Sequence, residues 1–397
     1  MASKDIKENE KEQMNNMFKK LNSDFFLQKL FGFLPKNISL KTIKYNKYVQ
    51  KRMNINVNTY KEYSETYTPI EIEIIPTKNK YGTFINIKKE DKKYYHIFFN
   101  DNKEKEIKKT EIKSKDNVSK INIIIDHQVK SFAELFNECY CIESIKFKKF
   151  YRNNIIDMNQ MFRQCEALKE LDLTNFKTDN VTNMSAMFMF AARTLLKEIN
   201  LANFNTSKVT DMGYMFDNCT LIEELNLTNF NTNEVTDMSL MFAGCSSLKE
   251  LNLSNFNTSK ATSLRAMFAG CSSLKELNLS NFNTSNVTCM EGMVRNCASL
   301  LKINLTSFNT GKVTDMSGMF AGCSSLKELS LTNFDTSNVI DMCAMFARCI
   351  SLEKLELGKF KTNEESNMIN MFLKCSNELK LKIKKKYKNL KKEAFEE

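Results

Sequence analysis

The chain has no tryptophan, three prolines, ten glycines and two histidines among its 397 residues. Each shortage removes a class of function. Two histidines leave little for imidazole acid–base chemistry or a histidine-rich metal site. Ten glycines leave little for phosphate-cradling loops. Long apolar runs are also missing. Residues 1–13 form a charged arm with no hydrophobic stretch behind it, so no secretory signal is expected. The best apolar run, residues 25–34, carries Lys29 and is half the roughly 20 residues that a membrane span needs. Neither end has a lipidation box. Without an export signal, the twelve cysteines are expected as buried thiols and not as a disulfide framework. A cytoplasmic location is therefore expected, with the cell surface as the alternative if this gene model lacks its export signal.

What is abundant is phenylalanine, at 30, and methionine, at 22. An apolar fraction of 42% with 26% charged residues is that of a folded chain and excludes wholesale disorder. The formal charge of +11 is uneven. Residues 1–130 carry a net +10, residues 131–375 a net −3 and residues 376–397 a net +4. The basicity belongs to the two ends.

Internal repetition decides the architecture. Met-Phe pairs recur at Met161, Met187, Met215, Met241, Met267, Met319, Met345 and Met371, with Leu135-Phe136 and Met293-Val294 in the remaining slots. The step is 26 residues, except for 28 between Met187 and Met215, where the insertion falls around residues 191–194. In the unit 248–273, Leu251 and Leu253 alternate as a half-buried strand should. Ala261, Leu264, Met267-Phe268 and Cys271 then come at spacings of three to four, which predicts a short helix or helical turn. One such unit cannot bury its own apolar stripe, but stacked units can. The expected fold is therefore an α/β solenoid: a right-handed stack of about ten coils, roughly 50 Å long at the usual strand spacing.

The block Met-Phe-x-x-Cys-x-x-Leu-x-x-Leu-x-Leu-x-x-Phe-x-Thr-x-x-Val-x-x-Met resembles the BspA-like leucine-rich-repeat proteins, in their 26-residue form, over residues 119–375. That resemblance implies a leucine-rich-repeat solenoid and, in relatives with an export signal and anchor, a surface adhesin. Phe256 stands where the leucine-rich consensus has its ladder asparagine. Residues 241–259 and 267–285 are identical, so exposed positions are duplicated along with buried ones.

The flanks divide further. Residues 1–24 are a polar arm, and 25–65 have helical spacing at Phe26, Leu30, Phe33 and Leu34. Residues 66–118 alternate in short runs and read as a β-rich cap for the first coil. Ile121 to Ile125 align with the strand slot of the repeat, placing the solenoid at 119–383. Leu379, Leu381 and Ile383 alternate as a last strand before a basic tail at 384–397. Residues 24–53, with a Leu34-Pro35 break between apolar and amphipathic segments, resemble an F-box. That resemblance implies a substrate adaptor of a ubiquitin ligase, bound to a Skp1-like partner.

Several constellations have structural readings. Cys165, Cys219, Cys245, Cys271, Cys297, Cys323, Cys349 and Cys375 share one slot, preceded by Cys139 and interrupted by Ala191. Zinc sites want paired ligands from opposed elements, so this line is read as core thiols and no metal is expected. Asp211, Asp237, Asp315 and Asp341 alternate with Asn183, Ser263, Cys289 and Asn367; the shared property is a cap or turn side chain, not a calcium ladder. The Met column is core filler. His96 and His127 lack a partnered nucleophile, so no catalytic residue and no cofactor is nominated. Tyr45, Tyr48, Tyr60, Tyr63 and Tyr67 lie in basic surroundings, but interleaved acids and the lack of a recognition motif argue against nucleic acid.

The resulting expectation is a monomeric, non-enzymatic scaffold that presents a long regular surface to a protein partner. The candidate contacts are the outward residues of the strand slots: Asn226, Thr228, Glu250, Asn252, Ser254, Glu276, Asn278, Ser280, Asn304 and Thr306. The competing surface is the return side, at Tyr214, Leu240, Arg265 and Glu291.

Overall fold

A computed structural model describes residues 23–34, 36–44, 46–190, 195–358, 360–361 and 365–396. Most of the polar arm, Pro35, Tyr45 and Ala191 lie outside the described residues. The chain divides into two units, Met1–Thr68 and Pro69–Glu397.

The first unit is helical. Helices α1 (Asp24–Gly32), α2 (Lys36–Ile43), α3 (Lys47–Arg52) and α4 (Val57–Tyr67) are short. Three of them start on side-chain caps. Ser23 accepts from the Phe26 N–H, Asn46 from Val49, and Asn56 and Thr59 form a reciprocal capping box. The i, i+4 pair Leu27 and Phe31 meets Ile43 and Val49 in a small core, with Met53 and Ile55 packed against it.

The second unit opens on a sheet. Strands β1 (Ile70–Pro76), β3 (Tyr95–Phe99), β4 (Glu106–Ile107), β6 (Ile121–Ile125), β7 (Ile142–Lys149) and β8 (Glu170–Asp172) lie in the order β4-β3-β6-β1-β7-β8. A separate pair joins β2 (Gly82–Thr83) to β5 (Glu111–Ile112). Alternate isoleucines of β1 and β6 are buried, as a strand with one covered face requires. The sequence places β6 in the first coil. It instead pairs antiparallel with both β1 and β3. Parallel stacking starts later, where β7 meets β8 and Ser131 bridges Asp157.

The repeats do not form the expected α/β leucine-rich-repeat solenoid. Among the described residues no α-helix occurs between Ile70 and Ser376. Strands there shrink to three-residue fragments: β9 (Glu276–Asn278), β10 (Lys302–Asn304), β11 (Glu328–Ser330) and β12 (Lys354–Glu356). The units are built from turns, held in register by single parallel bridges 26 or 28 residues apart, from Ser131–Asp157 through to Asp341–Asn367.

The backbone explains why the helical spacing misleads. Apart from the return that holds Ala186 alone, each return carries two left-handed residues four apart, such as Tyr214 and Asn218, Leu240 and Gly244, or Gly318 and Gly322. A right-handed helix cannot pass through them. Successive N–H groups also go in different directions. Those of Met212, Tyr214, Phe216 and Asn218 donate to Asp237, Ser239, Met241 and Ala243 of the next unit, at 2.7–3.1 Å. Those between them, on Met215 and Asp217, close local turns onto Met212 and Tyr214. Every donor is satisfied without a helix. The three-to-four spacing of buried residues is produced by tight turns with the same period.

Side chains lock the units together. Phe136, Phe162, Phe188, Phe216, Phe242 and Phe268 stack with successive centroids 5.7 Å apart and almost parallel rings. Val294 interrupts the column, which resumes from Phe320 to Phe372. Each buried phenylalanine is worth about 1.5–3 kcal/mol. The end of the chain closes the stack. Leu379 and Ile383, expected on a strand, lie one turn apart on α5 (Asn377–Lys386) and are buried, while Leu381 is 68% exposed. Beyond it, the basic tail packs on the last unit: Phe395 stacks on Phe372, and the Phe372 N–H donates to the Ala394 carbonyl at 2.9 Å.

Candidate functional site

The strand slots form one outward row. Leu227, Leu253, Leu279 and Leu305 are buried, so their chain neighbours point the other way. Asn226, Thr228, Glu250, Asn252, Ser254, Glu276, Asn278, Ser280 and Thr306 are exposed, and Asn304 is half-buried. Their chemistry is partly committed already. The Asn226, Asn252, Asn278 and Asn304 Oδ1 atoms accept from the N–H two residues on, at 3.0–3.2 Å. Their amide N–H₂ groups, the glutamates and the hydroxyls make up the rest of the surface. Between units, Lys249 pairs with Glu223 at 2.5 Å and Lys302 with Glu276 at 3.2 Å. The Lys249 ammonium holds the Glu223 carboxyl below its usual range. Exposed pairs of this kind contribute little stability. They do link neighbouring units across the row.

The return side is less uniform. Tyr214 and Leu240 are half-buried on left-handed residues, and Arg265 is exposed. The Arg265 Nε lies 2.6 Å from the Glu291 carboxylate of the next unit.

The aspartate line is a turn line, as its shared residue types imply. Asp211, Asp237, Asp315 and Asp341 each accept, through Oδ1, the N–H two residues on at 2.7–2.9 Å. Asn183 and Ser263 do the same from their own side chains. The turn leads into another turn and not into a helix. Burial, reinforced by the Asp237 charge, pushes the Asp211 carboxyl up.

The thiols of the cysteine slot are buried and unbridged. From Cys245 to Cys375 each donates to a carbonyl one unit back, for example Cys271 to Phe242 and Cys349 to Phe320, both at 3.1 Å. Burial pushes the Cys271, Cys323 and Cys349 thiols well up. One metal-capable trio converges among the described residues: the ligand atoms of Cys289, Glu291 and Asp315 lie within 4.8 Å of one another. Arg265 already occupies Glu291 and brings a positive charge to the spot. His96 bridges Glu106 at 3.1 Å and Asp126 at 3.2 Å on the sheet.

Two ladders escaped the sequence reading. Asn229, Asn255, Asn281 and Asn333 each donate from Nδ2 to leucine and phenylalanine carbonyls of the preceding unit at 2.7–3.2 Å. The ladder asparagine therefore stands one residue before the Phe256 slot. The buried threonines Thr206, Thr232, Thr284, Thr310 and Thr336 form the second. Each hydroxyl donates to the carbonyl of the residue 25 positions on and accepts the N–H of that same residue. The recurrent Asn-Phe-x-Thr of the repeat was the available signal.

A family model described as "Mycoplasma protein of unknown function, DUF285" matches residues 104–224, 189–302, 221–329 and 295–393. The matches overlap and together cover well over half of the chain. The chain belongs to this family. Its DUF285 region takes in the repeats and the last strands of the sheet, and leaves the helical unit outside. Comparison with curated proteins and with solved structures gave no match. Among the described residues no helix is long and apolar enough to cross a membrane.

Proposed function

We propose that the DUF285 array is a non-enzymatic interaction surface, engaging a protein partner through the strand-slot row. One observation carries this reading: Glu250, Asn252 and Ser254 recur, exposed, as Glu276, Asn278 and Ser280 one unit on, and Glu276 and Asn278 in turn lie in parallel register with Lys302 and Asn304. Parallel neighbours are about 4.8 Å apart, so the row repeats one small polar motif at that interval. It lacks the Trp, Tyr and Arg anchors that concentrate binding energy. Affinity per unit is therefore weak, and useful binding comes from several units engaging an extended or repetitive partner at once.

Paired charge-changing sets test it in a capture experiment with the full chain. Asn252→Lys, Asn278→Lys and Asn304→Lys together should abolish capture. Tyr214→Glu, Leu240→Glu and Arg265→Glu together should leave it. The opposite pattern, in proteins that melt normally, moves the contact to the return side. Two other readings have their own tests. The F-box-like stretch 24–53 makes an adaptor only if deleting residues 1–65 removes a Skp1-like partner. The BspA-like adhesin reading requires the tagged protein on the cell exterior.

A further inference from the structure

We propose that the helical unit docks on an anionic lipid bilayer through the outward arc of α1, independently of the repeat surface. At 3.6 residues per turn, Leu27 and Phe31 take one side of the helix and enter the unit's core. The other side presents Phe25, Phe26, Lys29 and Leu30, and Phe33 and Leu34 follow just past the helix end. Phe25 is 66%, Phe26 59% and Phe33 84% exposed, and Leu30 and Leu34 are each over a third exposed. A surface helix ordinarily turns polar residues outward, and this one inverts the rule. At 150–250 Å² per side chain, the three phenylalanines alone show on the order of 400 Å², already comparable with the largest apolar patch of a typical monomer.

Two observations select a bilayer over a protein groove. Lys29 sits inside the apolar arc, with its Nζ 4.9 Å from the Phe25 ring centre. Charged residues are depleted at the centre of protein interfaces, whereas at a membrane a lysine stem lies along the apolar surface and its head reaches the headgroups. The charge of the unit is also one-sided. Residues 23–68 hold eight Lys and Arg against three Asp and Glu, and one of those acids, Asp24, is paired with Arg52. Exposed apolar bulk on a basic helical unit is the combination that holds amphipathic helices in the interface of anionic membranes. At nine residues, α1 is too short to span, so it lies in the plane of the surface.

The test is sedimentation of the full chain with vesicles of phosphatidylcholine carrying about one-third phosphatidylserine, against phosphatidylcholine alone. The chain should partition onto the anionic vesicles only, and release as salt shortens the screening length to about 3 Å near 1 M. The double variant Phe26→Ser with Phe33→Ser should lower partition by about tenfold or more. Phe33→Ser alone, at the most exposed position, should give a smaller loss and serves if the double variant melts early. Failure of the wild type to bind anionic vesicles overturns the proposal, as does undiminished binding by the variants. A wild-type dimer that the variants convert to monomer, or an acidic protein captured by this face with no lipid binding, assigns the arc to another occupant and equally overturns it.

Discussion

Replacing Thr232 by valine isolates the threonine ladder, because shape is kept and only the hydroxyl is lost. Thr232 is 1% exposed. Its Oγ1 donates to the Asn257 carbonyl at 2.8 Å and accepts the Asn257 N–H at 2.8 Å. The valine leaves both backbone groups of Asn257 without that partner, at about 1–3 kcal/mol for each buried group so stranded. Residual access to water at the exposed Asn257 lowers the sum, so a loss of about 2–4 kcal/mol is expected. Thr236→Val is the control. Thr236 is exposed, and its hydroxyl donates to the Thr210 carbonyl at 3.1 Å, which already accepts the Thr236 N–H at 2.8 Å. No group is stranded, and the change should stay within about 0.5 kcal/mol. Urea unfolding followed by circular dichroism gives both values, and hydrogen exchange at Asn257 should accelerate in the first variant alone. Equal effects of the two substitutions would refute the reasoning.

Asp217, 6% exposed, is pushed up to about 6 by burial, with only the Asn218 amide in partial compensation. A raised carboxyl binds its proton more tightly in the folded state, so stability falls as pH rises from about 4 through 6. Asp217→Ala, the residue found in the same slot at Ala243 and Ala321, should therefore stabilise by about 2 kcal/mol at pH 7 and not below pH 4, read from melts at both. Gly358→Ala would set a Cβ 2.6 Å from the Thr332 Cα at a φ of +51°, costing about 2–4 kcal/mol. At Gly270 the nearest atom would be 3.5 Å away, so Gly270→Ala should cost only about 1 kcal/mol of left-handed strain in the same denaturation assay. Native alkylation followed by mass spectrometry should label the half-buried Cys289 and Cys343 first and the buried slot only on unfolding. A full set of inter-unit disulfides would contradict that order.

The sequence disclosed period, register and core because these depend on which residues repeat. Phe, Met and Cys slots are buried where the repeat places them, and so are the Leu slots apart from the half-buried Leu251. It did not disclose the return conformation, because three-to-four spacing of apolar residues arises from a helix and from stacked tight turns alike. The distinguishing signal was local: Asn218, Gly244, Gly270, Asn296 and Gly322 occupy one slot with residue types that accept left-handed backbone. The second left-handed slot is marked only in part: Gly292, Gly318 and Asn370 hold it, but so do Tyr214, Leu240, Ala266 and Ala344. Its backbone is set by hydrogen bonds to the next unit, which no single repeat reveals. Strand β6 misled for a related reason. Its alternation is the same for an antiparallel partner as for a parallel one, and pairing is decided by β1 and β3. At the candidate surface, outward direction came from alternation, but the turn bonds that occupy the asparagine Oδ1 atoms depend on backbone geometry.

Spin labels at Asn226 and Ser330, four units apart in the outward row, measure directly whether that row is a register of identical positions. At about 4.8 Å per unit their backbones should lie about 19 Å apart, with a narrow distance distribution by double electron–electron resonance. Moving the second label one unit on, to Glu356, should lengthen the distance by about 5 Å. A broad distribution, or a distance that does not grow by one spacing per unit, would show that the repeats do not align their outward residues and that no continuous surface exists.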